Sequence, residues 1–598
     1  MVGEGMQIFS VLFLTYFLCA VGNPCERKCG VDLQPMTCHH KFTLHATTIN
    51  CDHCQRKNRT AQCLNQKCDF ASKLALSVNG KTPGPTIQVC LGDRIIVDVE
   101  NRLPSSFETS IHWHGILQKG TPYYDGVSRV TQCPLTTGTS FSYSFVADNP
   151  GTHFYHADSV TQHADGIYGA IIVNEAGKRA RENVILLGTR NDALVSGAYG
   201  ALHGALVGQN KPVAKLILNG KANNENVDEF EAKLSETLFS FVNVAAYDCP
   251  FEIAMESHSF KVVNAQGSEI LPVFAEKIVI YPGGRYDVEI YQIGEKCEKC
   301  VLKVSGLHKC SQLEQIKTVI RPVGDQNIAT NEIKAKSLSA NCSKDPSNLC
   351  NAQLEGVNPP DITFTPDLTF FLTFGHMRVP KVSNEDVEFR FVLNDIEYYP
   401  TFLDSSDEDG TLIPHINTVS FRPPSTPILS QYEDREPSFE CESWANLSPA
   451  PASRPKSTCK GPPHYCECTH YIRVAVNATV KLVFRHESDS SNKNPGTFHL
   501  HGHKMYTANW RSSSDDMENT NKRPVAKDTI VVPPSGEISA FFKANNPGFW
   551  LLETRGDQIT SAGVGMALIV QVGGPSEMLP VPAGYPTCRG LKPDDFIF

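Results

Sequence analysis

The sequence predicts an all-β protein: three consecutive β-sandwich domains behind a cysteine-rich segment. Three observations carry this. Short segments of alternating hydrophobic character, bounded by Gly, Pro or Asn, recur from about residue 71 to 575. On a strand that period places every second side chain on the buried face. Helical periodicity is scarce, and the one helical turn expected follows Asp158, around Ser159 to His163. The 598 residues, with 42 Gly and 39 Pro, have ordinary globular composition, and at roughly 150 residues per domain they suit three large domains with extensions.

The chain opens with an apolar run, Ile8 to Ala20, ending in the small residues Ala20-Val21-Gly22. It is shorter than the roughly 20 residues that span a bilayer and reads as a signal peptide over 1–22. No Lys or Arg precedes it, and a short membrane anchor is the alternative. Of 21 cysteines only Cys19 falls in this segment, which leaves 20, an even number compatible with complete pairing in an oxidising compartment. Residues 23–70 hold Cys25, Cys29, Cys38, Cys51, Cys54, Cys63 and Cys68 and read as a disulfide-stapled extension rather than a zinc site. Acceptor sequons lie at Asn58, Asn341, Asn446 and Asn477. The expectation is a secreted, extracellular, disulfide-bonded glycoprotein with no membrane span.

Residues 71–176 form the first domain, with LALSVNG, TIQVCLG, RIIVDVEN, FSYSFVADNPG and GAIIVNEAG as strands. Residues 177–325 form the second, opening with NVILLGTRND and containing LILNGKANN and KIVIYPGGRYDVEIYQ. A Cys- and Asn-bearing stretch, 326–365, reads as a linker. Residues 366–598 form the third domain and a C-terminal tail, with FFLTFG, TVKLVFRH, TIVVPPSG and MALIVQVGG as strands and a Ser-, Pro- and Cys-rich insertion near 422–470. A net charge of −10 without a long Lys/Arg run argues against nucleic-acid binding. No nucleophile elbow, zinc-protease helix, phosphate-binding loop or dinucleotide fingerprint is present.

Histidines carry the chemistry. His112 and His114 form an H-x-H, His153 and His156 lie in GTHFYHAD, and His499, His501 and His503 lie in FHLHGH. Side chains at i and i+2 on a strand share a face, so each H-x-H aims two imidazoles at one point. Neutral imidazole suits copper, zinc and iron.

Across nearly its whole length the chain resembles multicopper oxidases of the insect laccase type. The matching segments include 79–93 (NGKTPGPTIQVCLGD), 111–115 (IHWHG), 124–134 (YDGVSRVTQCP), 164–177, 281–288 (YPGGRYDV), 494–506 (NPGTFHLHGHKMY), 546–555 and 564–574. The resemblance implies three cupredoxin-like, Greek-key domains. It also implies a type 1 copper in the third domain and a trinuclear cluster between the first and third.

The ligand pattern departs from that family. His112, His114, His156, His499 and His501 match ligand positions, whereas Asp158, Gly496, Glu553, Thr554 and Arg555 stand where the family has ligands. Thr554 replaces the type 1 cysteine, and only Met566, at the weak axial position, still matches there. A type 1 centre needs a thiolate and two imidazoles, so the resemblance is to the copper-site-degenerate, multicopper oxidase-related proteins.

The expected function is therefore a non-catalytic extracellular binding or structural protein with an unidentified protein or matrix partner, and no catalytic residue is assigned. A copper-dependent phenol or metal oxidase and a mononuclear metal-binding protein are the alternatives. No full copper complement is expected, but one copper or zinc is compatible with His112 and His499 assisted by the other three. Equally, the five are expected to serve as interior histidines bonded to backbone and to each other. Arg555 is expected to pair with Asp158 or Glu553 in place of the bridging metal. His153 and His503, off the ligand pattern, are expected at the surface or behind the ligands.

Overall fold

The computed structural model describes residues 25–49, 73–104, 107–191, 194, 214–223, 225–324, 336–339, 348–350, 354–379, 406–407, 410–435, 437, 440–443, 466–487, 495–511, 516–517, 523–554 and 566–588. Arg555, Asn58, Asn341, Asn446, the expected signal peptide (1–22) and Cys51 to Cys68 lie outside them.

Alternating valines and isoleucines build the first unit. Arg94–Asn101 (RIIVDVEN) buries every second side chain, as a strand with one solvated face must. It sits in a four-stranded sheet ordered Lys73–Val78, Thr37–Ile49, Arg94–Asn101, Ser140–Val146. A second four-stranded sheet runs Ile87–Cys90, Tyr168–Asn174, Gly151–Ala157, Ile111–His114. Phe42, Val97, Trp113, Tyr143, Phe145 and Tyr155 belong to the core of this unit.

Part of the segment read as a cysteine-rich extension is thus a strand. Thr37–Ile49 pairs in parallel with Arg94–Asn101 and antiparallel with Lys73–Val78, because Phe42 and Leu44 alternate inward. Cys25–Cys38 fastens the preceding residues to this strand, and Cys29–Cys90 fastens them to Ile87–Cys90 of the second sheet.

A twelve-stranded sheet gathers strands between Asn183 and Cys350 around Ile185, Phe239, Phe251, Phe260, Val288 and Ile320. Two short strands of the expected linker join it: Lys336–Ser339 pairs in parallel with Ser268–Ile280, and Asn348–Cys350 in parallel with Lys336–Ser339. A fifteen-stranded sheet holds strands from Leu368 to Val572. The expected helical turn is present as Val160–Ala164, with Ser159 at its N-cap.

The first and last units meet directly. Tyr123, Val127 and Val130 pack with Ile428, Leu429, Phe549 and Ile569 in one buried apolar cluster, where each fully buried large side chain contributes about 1.5–3 kcal/mol. Cys133–Cys588 ties the same two regions covalently across 455 residues. Tyr123 donates its hydroxyl to the carbonyl of Leu579 at 2.6 Å. This seam positions the histidines.

Candidate metal centre

Three strands deliver the histidines to the seam. Ile111–His114 pairs with Gly151–Ala157 so that His112 lies opposite His156, and the hydroxyl of Tyr143 accepts the Ile111 N–H at 3.0 Å, fixing where that strand begins. From the other side, Gly496–Leu500 pairs with Gly548–Thr554, placing His499 opposite Glu553, and with Thr529–Val532, placing His499 opposite Thr529. All five expected histidines are buried and converge. The His112 and His501 rings lie 3.9 Å apart, those of His114 and His499 stack at 3.7 Å, and those of His112 and His156 lie 5.3 Å apart.

Backbone carbonyls fix the tautomers. His112 Nδ1 lies 2.9 Å from the Asp125 carbonyl oxygen, His156 Nδ1 2.8 Å from that of Ala157, and His499 Nδ1 3.1 Å from that of Asp528. A carbonyl only accepts, so each Nδ1 donates and each neutral ring keeps its lone pair on Nε2. The Nε2 atoms of His112 and His499 then face each other at 3.3 Å, a mutually repulsive arrangement unless a proton or cation lies between them. Fixing the metal-binding nitrogen through a hydrogen bond from the other one is how proteins hold histidine ligands.

Two buried carboxylates, which sequence reasoning missed, balance the cluster. Asp125, fully buried, has Oδ2 2.8 Å from His501 Nδ1. Burial alone would lower the His501 imidazole, but Asp125 and then Glu553 outweigh it and carry it up to about 9. At neutral pH His501 is therefore a cation between Asp125 and Glu553, whose Oε1 lies 3.8 Å from His501 Nε2. Burial would raise Asp125, yet the charges and hydrogen bonds of His501 and His112 hold it well below the usual carboxylate range. Gly126, at φ +86°, lets this loop lie against the Ile111 carbonyl, where a Cβ would come within 1.7 Å.

Asp528 is the second. It accepts from Arg285 Nη1 at 2.6 Å and Nη2 at 2.5 Å, and its Oδ1 lies 3.4 Å from His114 Nε2 and 3.6 Å from His499 Nδ1. Burial opposes its ionisation, but Arg285 overrides this and holds it well below the usual range. Burial pushes His499 down to about 4 and His114 well below its ordinary value, so both rings are neutral. Asp125 was visible in the YDG of 124–126 as a short polar residue beside a glycine turn. Asp528 gave no comparable signal.

The positions expected to depart from the ligand pattern have local surroundings of their own. Glu553 faces the histidines, lining a narrow cavity with His114, His163, His499 and Thr529. Asp158 accepts the Ser128 N–H at 3.0 Å, and burial, then Glu553, push its carboxyl up to about 6. Thr554, one residue on, pairs with Phe498 and Met566 on the neighbouring strands. Gly496 has no room for an imidazole: a Cβ there would meet Phe374 Cε2 at 2.5 Å, and Phe374 stacks on His486 at 4.9 Å. Phe374, Phe498 and Met566 belong to one apolar core. These residues do not fit a type 1 copper centre, which needs a thiolate. The histidine cluster does fit a single ion. His112, His114 and His156 offer ligand atoms within 4.8 Å of one another, and so do His112, His499 and His501 once the His501 imidazolium gives up its Nε2 proton.

His153 and His503 are buried, not at the surface. His153 Nε2 lies 3.0 Å from the Asn149 carbonyl and its Nδ1 3.2 Å from Arg285 Nη2, while the His503 ring lies 5.7 Å from Trp550. Gly115, at φ +98°, admits His153, whose Nδ1 would lie 2.2 Å from a Cβ there. His163, unmarked in the sequence, stacks on His156 at 4.6 Å because the short helix returns it over the strand.

Three family models described as multicopper oxidase match residues 61–178, 201–292 and 421–574, together more than half of the chain. An iron transport multicopper oxidase of Gibberella zeae is 26% identical over 504 residues, covering 80% of this chain and 69% of its own length. An L-ascorbate oxidase of Cucumis sativus is 25% identical over 561 residues, covering 83% and 86%. A laccase of Arabidopsis thaliana is 26% identical over 570 residues, covering 86% and 91%. Among solved structures, a multicopper oxidase that functions in iron import superposes with a TM-score of 0.63 at 19% identity, covering 90% of each chain. The laccase from Botrytis aclada gives 0.61 at 20% identity, covering 92% and 89%. The chain belongs to the multicopper oxidase family and has its all-β, cupredoxin-like fold.

Proposed function

We propose that this member of the multicopper oxidase family does not turn over as a laccase, and that it acts outside the cell by binding other molecules. In this reading the former copper region serves as a clasp between the first and third domains. The observation that carries it is Thr554 together with Phe374: the thiolate position holds a hydroxyl, and a phenyl ring fills the space beside Gly496. Substrate electrons then lack the copper–thiolate entry point. The His501 cation between Asp125 and Glu553 supplies positive charge where the family holds metal. The six disulfides among the described residues support an oxidising, extracellular setting. No helix among the described residues is long and apolar enough to cross a membrane.

One observation favours a second reading, a mononuclear copper or zinc site. The facing Nε2 lone pairs of His112 and His499 are preset for a cation. Imidazole suits either metal, and a bound ion would supply Lewis acidity.

The test is metal analysis of the purified protein after copper loading and dialysis, with oxygen uptake on a diphenol. The clasp reading expects no diphenol-dependent uptake and no bound copper. One ion per chain, abolished by His112→Ala with His499→Ala, establishes the second reading. A full copper complement with turnover overturns both.

A further inference from the structure

A separate group of reactive side chains lies on the central sheet. Cys297 and Cys300 form a disulfide enclosing Glu298 and Lys299. The pair is asymmetric: Cys300 begins the strand Cys300–Gly306 and is 2% exposed, whereas Cys297 sits half-buried in a loop whose neighbours Glu295, Lys296, Glu298 and Lys299 are exposed. His258 opens the strand His258–Ala265, and its Nε2 lies 3.8 Å from Cys297 Sγ. Its Nδ1 lies 2.7 Å from the Glu256 carbonyl oxygen, so Nδ1 donates and the Nε2 lone pair faces the sulfur. Burial lowers the His258 imidazole, keeping it neutral.

A bridge with a sequence separation of 3 restricts the unfolded chain far less than Cys249–Cys310, with 61, because loop-closure entropy grows with the span. Stapling is thus a weak reason for this bridge, while a reachable sulfur, a shielded partner sulfur and an adjacent imidazole base are what thiol–disulfide exchange requires.

We propose that Cys297–Cys300 is an exchangeable redox disulfide whose substrates are external thiols, with His258 as the base for Cys297. An external thiolate attacks Cys297 Sγ, forming a mixed disulfide. The Cys297–Cys300 bond breaks, its electron pair leaves on the Cys300 sulfur, and that sulfur takes a proton. A second external thiolate attacks the external sulfur of the mixed disulfide and releases the Cys297 thiolate, which takes a proton from solvent and then shares it with His258 Nε2. The protein disulfide gains two electrons and two protons, and two thiols become one external disulfide. A small-molecule disulfide of the same class reverses the sequence. In the reduced state His258 accepts the Cys297 proton and sustains the nucleophilic thiolate.

The test uses the full-length protein equilibrated in mixtures of reduced and oxidised glutathione, trapped with iodoacetamide and read by peptide mass spectrometry. The expected result is that the 297–300 peptide follows the glutathione ratio while Cys249–Cys310 stays oxidised. In Cys300→Ser, Cys297 is expected to carry glutathione. Adding His258→Gln is expected to slow alkylation of the freed Cys297 by about tenfold at neutral pH and to move its alkylation–pH profile upward. Glu256 and Lys303 and the loop's Glu295, Lys296, Glu298 and Lys299 are the surrounding charges, and all are unchanged in that comparison. A 297–300 bridge that stays oxidised until Cys249–Cys310 is reduced overturns the proposal. So does an alkylation rate and profile indifferent to His258, or a reduced protein that binds stoichiometric Zn²⁺ through these three residues and resists alkylation.

Discussion

Replacing Asp528 by Asn removes a charge on which three regions of the chain converge. Arg285 comes from the central sheet, Asp528 lies beside the strand Thr529–Val532, and His114 belongs to the first unit. Arg285 and Asp528 are each 1% exposed and joined by two hydrogen bonds. Asn keeps the shape but strands a buried guanidinium, and breaking one partner of a buried pair costs about 3–5 kcal/mol. For units of roughly 150–250 residues each kcal/mol moves the thermal transition by about 2–4 °C, so a fall of about 6–20 °C is expected. Scanning calorimetry on the wild type, Asp528→Asn, Arg285→Met and the double variant measures it. Because the Asp528→Asn penalty is the orphaned Arg285, the double variant should be less destabilised than the sum of the singles, with coupling of about 2–3 kcal/mol. An Asp528→Asn shift below about 2 °C, or strictly additive singles, would refute the idea that this pair locks the interface.

Acid should weaken the third unit. Burial pushes His470 down to about 4, and burial with His376 does the same for His415. The unfolded chain therefore takes up protons first, and stability present above about pH 6.5 is lost as pH falls through 4, by about 3 kcal/mol per residue. Denaturation of His470→Gln across that window should show a shallower pH slope than the wild type. Placing an imidazole at 496 with Gly496→His should drive the side chain into Phe374 and lower stability by about 1–3 kcal/mol, read as a lower melting temperature, with no gain of copper–thiolate colour. Asn477 is exposed in the turn between Cys466–Val474 and Thr479–Glu487, so glycosidase treatment of protein expressed through a eukaryotic secretory pathway should shift the mass of its peptide, and Asn477→Gln should abolish that shift.

Much of the fold was legible because β-sandwich strands announce themselves within a few residues: RIIVDVEN alternates, and its burial alternates with it. The N-terminal strand Thr37–Ile49 was hidden because cysteines flanking it drew attention to disulfides, while its alternation is diluted by His and Thr. The site was half legible. H-x-H spacing on a strand implies two imidazoles on one face, and the same alternation sets Glu553 toward the histidines and Thr554 away from them. The expected Arg555 pairing lies outside the described residues, and within them His501 meets Glu553.

By itself, then, the sequence determined the strand pattern and the five histidines, since these are properties of residue type and local period. Tertiary structure alone decided what surrounds them. Asp125 and His501 are separated by 376 positions, Arg285 and Asp528 by 243, and His112 and His499 by 387. Their charges, tautomers and facing lone pairs exist only once the first and third units close on each other, because Coulomb and hydrogen-bond energies depend on distances in space that no local spacing encodes.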